Sequence, residues 1–249
     1  MRGTLRTLAI ALLTLGCTAD PVTWGEVMHS DAPPQPAESA KRVAGLTVEG
    51  CQESLRVVVA GESSFAAWWT VRPDSTAVLM TARALRGQPW SAPVIADSTD
   101  RGTQGCGRPP ASIAADPISG YVHLAYFLEP ASGGGVFFAH SMDGGATFHA
   151  AVAIVYGKNP ARTSVSSHGD RVAVAYEDPN SQQPLVGVAL SKTMGHIFEE
   201  RVLATSDNGR ARQPVVRVSG DSLKLWWSEY AANPAISATR PMYRAGQWH

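Results

Sequence analysis

The chain has 249 residues, with 21 basic and 21 acidic side chains and so no net charge. That balance argues against a nucleic-acid partner or an anionic membrane surface. With 23 Gly, 17 Pro and short runs of Val, Thr, Trp and Tyr, the composition predicts an all-β fold rich in turns.

The chain starts MRGTLRTLAIALLTLGC. Arg2 and Arg6 precede an apolar run from Leu8 to Leu15, too short to span a bilayer, which reads as an export signal. The run ends Leu13-Thr14-Leu15-Gly16-Cys17, which resembles a bacterial lipobox, with Thr14 where an aliphatic residue is usual. The resemblance implies that residues 1–17 are a lipoprotein-type signal peptide and that Cys17 is acylated. Acyl chains would tether the protein to a membrane by burying methylenes at about 0.8 kcal/mol each. An ordinary cleaved signal with an incidental Cys is the other reading. Residues 18–41, which include DAPPQPAESAK, are polar, Pro-rich and without periodicity, and are expected to be a tether. The expected location is the cell envelope, on the periplasmic or surface side.

From residue 42 to residue 249 the chain repeats itself. Short strands ending in aromatic positions recur at FAAWW (65–69), VHLAY (122–126), VAVAY (172–176) and LKLWW (223–227). A second aromatic follows each at 21 or 22 positions: Trp90, Phe148, Phe198 and Trp248. A period of about fifty residues made of short strands predicts propeller blades. Each unit divides into four strands. In the second unit these are ASIAA, VHLAY, GVFFAHS and AAVAIV, separated by turns such as ADPISG.

The turn between third and fourth strands of that unit reads SMDGGATF (141–148). Ser141, Asp143, Gly145, Thr147 and Phe148 resemble the Asp-box, the repeat of sialidase-like propellers. Its Asp and hydroxyl groups tie up turn backbone, Gly supplies permissive φ, and the aromatic plugs the gap between sheets. The resemblance puts such turns on the periphery, so Asp143 is expected to be structural. SKTMGHIF (191–198) is a weaker copy with Thr193 in place of Asp, RALRGQPW (83–90) keeps only the Gly and the aromatic, and the last copy ends AGQW.

The fourth unit stops at Trp248-His249, leaving it one strand short, whereas RVAGLTVEGCQES (42–54) is spare and aligns with RVLATSDNGRARQ (201–213). The expected fold is therefore a four-bladed β-propeller of four-stranded antiparallel blades, with residues 42–48 closing the ring and covering otherwise free strand edges. A truncated or dimer-completed propeller is the alternative. On this alignment Cys51 and Cys106 occupy matching places before the first strands of neighbouring blades. In an oxidising compartment they are expected to form a disulfide worth about 3 to 4 kcal/mol; two buried free thiols are the alternative.

Loops entering the first strands carry Arg108, Arg162 and Arg212, and loops leaving the second strands carry Glu129, Glu177, Asp178, Glu229 and Tyr230. Both sets share one face, so guanidinium groups and carboxylates are expected to ring one mouth. Arg108, Arg162, Arg212 and Glu229 are the candidate ligand-binding residues, suited to an anion or sugar through paired charge-assisted hydrogen bonds. The sialidase resemblance implies an arginine triad for a substrate carboxylate, with Tyr230 as nucleophile, Glu177 as its partner and Asp178 as a further carboxylate. Such residues also commonly pair with one another and merely orient loops. The seven histidines show no metal-ligand spacing, so neither metal nor cofactor is expected. The sequence reading leans away from an enzyme, toward a lipid-anchored propeller that binds a glycan, peptide or envelope protein. A sialidase-like glycoside hydrolase acting on acidic glycans is the competing reading.

Overall fold

The computed structural model describes residues 20–31, 44–182, 185–203, 205, 210–230 and 239–249. The signal segment and Cys17 lie outside the described residues. Two short strands come first, β1 (Val22–Trp24) and β2 (Met28–His29). Sheet 1 follows, from β3 (Cys51–Ala60), β4 (Ser63–Val71), β5 (Ala77–Leu85) and β6 (Val94–Asp97). Sheet 2 contains β7 (Ser112–Ala115), β8 (Val122–Leu128), β9 (Gly135–Ser141) and β10 (Val152–Tyr156). Sheet 3 contains β11 (Thr163–His168), β12 (Arg171–Glu177), β13 (Val186–Ser191) and β14 (Glu200–Leu203). Sheet 4 contains β15 (Ala211–Ser219), β16 (Ser222–Tyr230) and β17 (Thr239–Trp248), joined by β1 and β2. Every pairing is antiparallel, and the four-strand units follow the sequence repeat.

The first strand of each unit is small and partly polar for a reason. Val165 N–H donates to Ser112 Oγ (2.9 Å), Val216 N–H to Ser164 Oγ (3.0 Å) and Val218 N–H to Ser166 Oγ (3.0 Å). Serine hydroxyls thus satisfy the open edge of the next innermost strand, which a larger apolar side chain would hold away. The second-strand aromatics Trp69, Tyr126, Tyr176 and Trp227 are all buried. Trp69 and Tyr126 fill the core between sheets 1 and 2, Tyr176 with Phe127 and Phe138 that between sheets 2 and 3, and Trp227 with Trp248 that between sheets 3 and 4. Each such side chain contributes about 1.5–3 kcal/mol by leaving water.

The closed ring is not what the structure shows. Three cores join the sheets in series, but among the described residues no core joins sheet 4 to sheet 1, and no sheet closes on itself. Of the segment 42–48, the described residues 44–48 do not complete the last blade. Leu46 and Val48 lie instead over the far face of sheet 1, on Leu55, Ala66, Trp68 and Ala82, together with Trp90. That face is apolar and its own chain covers it, so it does not receive sheet 4. The strand added to sheet 4 comes from residues expected to be a tether: β1 pairs with β17 in the register Val22↔Trp248, Thr23↔Gln247 and Trp24↔Gly246. Val22 is buried and Trp24 packs on the same core, which explains why this segment pairs. AGQW is likewise not a turn but the end of β17. Gly246 is required there, since a Cβ would stand 2.5 Å from Val22 Cγ1.

The Ser141–Phe148 turn is held from within. The Asp143 carboxylate accepts from Thr147 N–H (2.9 Å), Thr147 Oγ1 (2.7 Å), Ser141 Oγ (2.7 Å) and Ala146 N–H (3.0 Å). The Thr147 backbone bond first, with the Ser141 hydroxyl next, holds the Asp143 carboxyl down to about 2. Gly144 and Gly145 take φ of 64° and 81°, and Phe148 packs on the core between sheets 1 and 2. In the second copy Thr193 Oγ1 accepts only the Ile197 N–H (2.9 Å) from the turn backbone, so the weaker sequence match makes a weaker cage.

Candidate functional site at the mouth of the inner strands

Cys51, at the start of β3, and Cys106, in the 3-10 turn Gly105–Gly107, form a disulfide with a Cα–Cα distance of 5.3 Å. It anchors the loop that enters β7, and this loop carries Arg108. The Arg108 guanidinium does not face solvent. It donates to both Asp100 oxygens (3.1 and 2.7 Å), both side chains are fully buried, and it stands 5.6 Å from the Trp69 ring centroid. Asp100 also accepts from the backbone N–H groups of Ala77 (2.7 Å), Gly102 (3.2 Å) and Glu129 (3.2 Å). This buried ion pair ties three segments together, although Arg108 Nε has no hydrogen-bond partner among the described residues. Trp69 Nε1 donates to Pro109 O (2.9 Å), which fixes the same loop.

Arg162 and Arg212 stand exposed. Burial first, and then the charge of Arg162, push the Arg56 guanidinium on β3 below its ordinary value, with Glu53 opposing. Glu177, half-buried at the end of β12, accepts from the Arg162 N–H (3.2 Å) through Oε2 and from the Gln213 N–H (2.9 Å) through Oε1. It therefore sits between the loops that lead into β11 and β15 and holds the Arg162 and Arg212 backbones near one another. Asp178 uses Oδ1 to accept from Asn180 N–H (2.9 Å). Glu229, half-buried on β16, accepts from Trp227 Nε1 (3.3 Å) through Oε1. Tyr230 is half-buried beside it, and among the described residues no hydrogen bond joins its hydroxyl to a carboxylate. Glu129 lies on the same side of sheet 2 and accepts from Gln104 Nε2 (2.7 Å).

Arg162, Arg212, Glu177 and Glu229 thus come together at the junction of sheets 3 and 4, whereas Arg108 is withdrawn under the loops of sheet 2. Asp100, Arg56 and Gln213 carry no signal in the sequence that singles them out. The VIADSTD segment has an Asp-x-Thr turn pattern, which Thr99 completes by donating to Asp97 (2.7 Å), but nothing local points from Asp100 to Arg108. Among the described residues no cluster of three or more His, Cys, Asp or Glu is arranged to hold a metal ion, and no helix is long and apolar enough to cross a membrane.

No protein-family model and no curated protein matches this sequence. Solved structures do match its fold. A Hadza microbial sialidase aligns with a TM-score of 0.52 at 16% identity, over 76% of this chain and 43% of that one. An α-L-arabinanase of Penicillium chrysogenum, complexed with arabinobiose, aligns with a TM-score of 0.54 at 15% identity, over 91% and 68%. A neuraminidase-like protein of A/flat-faced bat/Peru aligns with a TM-score of 0.51 at 10% identity, over 81% and 64%. The likeness to these structures is one of fold, and the chain spans less than half of the sialidase it matches. The reading that leaned away from an enzyme is corrected by these findings. The chain shares its fold with a sialidase and an arabinanase, so the fold gives no ground for that leaning.

Proposed function

We propose that this chain is a glycoside hydrolase, exported to the cell envelope and tethered there through Cys17, that works at the mouth between sheets 3 and 4. The observation that carries the reading is the Glu177 bridge. By accepting the backbone N–H groups of Arg162 and Gln213 it holds together the two segments that carry the exposed Arg162 and Arg212, next to the half-buried Glu177. Glycoside hydrolysis needs one carboxyl group to protonate the leaving oxygen and a second group to activate water or attack the sugar. Glu229 and Asp178 are the candidates, since each has one oxygen bonded and the other without a partner among the described residues. Tyr230 is the alternative attacking group beside Glu229. Glu177 has both oxygens committed to backbone and is a positioning residue. Arg162 and Arg212 suit a carboxylate-bearing sugar through paired hydrogen bonds. The Ser141–Phe148 turn, read as an Asp-box, supports a sialidase-like rather than an arabinanase-like ancestry.

The test is turnover of a fluorogenic sialoside and a panel of other aryl glycosides, arabinosides included. Hydrolysis that falls by on the order of 10²–10⁴ in Glu229→Gln, with folding intact by circular dichroism, is the expected result. Turnover unchanged in Glu229→Gln and Asp178→Asn, or glycan binding without turnover, would sink the hydrolase reading.

A further inference from the structure

Sheet 1 carries a second cavity, on the face turned away from sheet 2. Residues 45–49 cross that face and leave between themselves and the strands a cleft of about 480 Å³, lined by Leu46, Trp68, Met80, Trp90 and Pro93, with Thr47, Glu49, Thr70 and Ser91 among its polar residues. Its size lies within the about 300–1,000 Å³ usual for small-molecule sites. Trp68 is 2% exposed, yet among the described residues its indole N–H has no acceptor. The adjacent Trp69 shows the usual condition, donating to Pro109 O at 2.9 Å. A buried donor without a partner among the described residues, in the wall of a cleft, can be satisfied by an acceptor on a bound ligand.

The chemistry of the lining narrows what that acceptor is. Indole surfaces pack on the C–H faces of sugar rings, and a few hydroxyls and one carboxylate supply the directional bonds. Among the described residues the lining holds Glu49 and no Lys or Arg, which disfavours an anionic ligand. We propose that this cleft binds a neutral saccharide unit, whose ring lies on Trp90 and whose hydroxyl oxygen accepts from Trp68 Nε1. The site lies on the opposite face of sheet 1 from the core that packs on sheet 2, and it rests on no assumption about hydrolysis at the mouth. It would hold a glycan on the protein whether or not the mouth cleaves it.

The experiment uses the full chain with neutral oligosaccharides, namely arabinotriose, maltotriose, cellotriose and galactobiose. Binding is followed by saturation-transfer NMR and by tryptophan fluorescence titration. The expected result is saturable binding of at least one sugar, weakened at least tenfold in Trp90→Ala. Trp68→Phe, which keeps an aromatic ring but removes the N–H, should weaken it severalfold while circular dichroism stays unchanged. Glu229→Gln at the mouth should leave it in place. Absence of binding by all four sugars overturns the proposal. So does binding that survives both tryptophan variants, or that is lost only in the mouth variant. Failure of hydrolysis at the mouth would leave this result untouched, and the two ideas fail separately.

Discussion

The Glu177 carboxylate accepts the Gln213 N–H at 2.9 Å, from the last residue of a strand in sheet 3 to a bulge in the first strand of sheet 4. Gln213 holds its place there with φ of 57°, a left-handed conformation that costs a non-glycine residue about 1–2 kcal/mol. Gln213→Gly should therefore raise stability by about 1 kcal/mol in chemical denaturation, as the backbone strain is relieved while its N–H still reaches Glu177. Glu177→Ala should lower stability by about 1–3 kcal/mol, because two N–H groups lose their acceptor. A destabilised glycine variant would show that φ is not where the strain resides.

Asp100 and Arg108 differ in what each leaves behind. Removing Asp100 strands a fully buried guanidinium and three backbone donors, so Asp100→Ala should cost about 3–5 kcal/mol. Arg108→Ala leaves a carboxylate that still accepts from Ala77, Gly102 and Glu129, and should cost less. Urea denaturation of the two variants gives the order, and the reverse order would mean that Arg108 is held chiefly by its stacking on Trp69.

The Cys51–Cys106 bond spans a separation of 55 residues. On chain-entropy grounds its reduction should destabilise the protein by about 4 kcal/mol. Cys106 is exposed, so the bond should open to a reductant without prior unfolding. Denaturation midpoints with and without reductant, compared with a Cys51→Ala/Cys106→Ala variant, measure the effect.

Four of the seven histidines gather on sheets 2 and 3, at the end away from the mouth. His140 lies 4.7 Å from His149, 4.6 Å from His196 and 6.4 Å from His123 between ring centroids, with Tyr121 stacked on it at 6.1 Å. Both His123 ring nitrogens are buried, with no hydrogen-bond partner among the described residues. Burial first, and then neighbouring histidines, lower His123 and His140 to about 4; for His123 the Asp116 carboxylate opposes. The unfolded chain, whose histidines titrate near 6.5, then binds more protons than the folded one below that pH. The contribution of these histidines to stability should fall as pH drops from about 6.5 to about 4 and change no further below. His123→Phe should keep the fold at pH 7 and flatten part of that decline. An unchanged pH profile in this variant would show that His123 is not a source of the slope.

Part of this architecture is legible in the residue pattern alone. The strand pattern, the second-strand aromatics and the Ser141–Phe148 turn depend on neighbours within a few residues, so apolar alternation and turn residues report them directly. Leu46 and Val48 show where that fails. Their alternating character reads as an edge strand, but alternation says only that one side is apolar, not which surface it covers, and they lie on Trp68 instead. VTW at residues 22–24 is too short to rise above its polar surroundings, yet Val22 and Trp24 find a ready apolar core and an open edge on β17.

By itself the sequence determined the period of about fifty residues and the all-β class, because repetition records local structure copy by copy. Only the tertiary structure decided that the sheets stand in an open series, that Arg108 is buried on Asp100 while Arg162 and Arg212 remain exposed, and that four histidines meet. Each of these depends on contacts between residues far apart in the chain. Their energies come from which groups lose water together, and a linear pattern of residue types does not specify that.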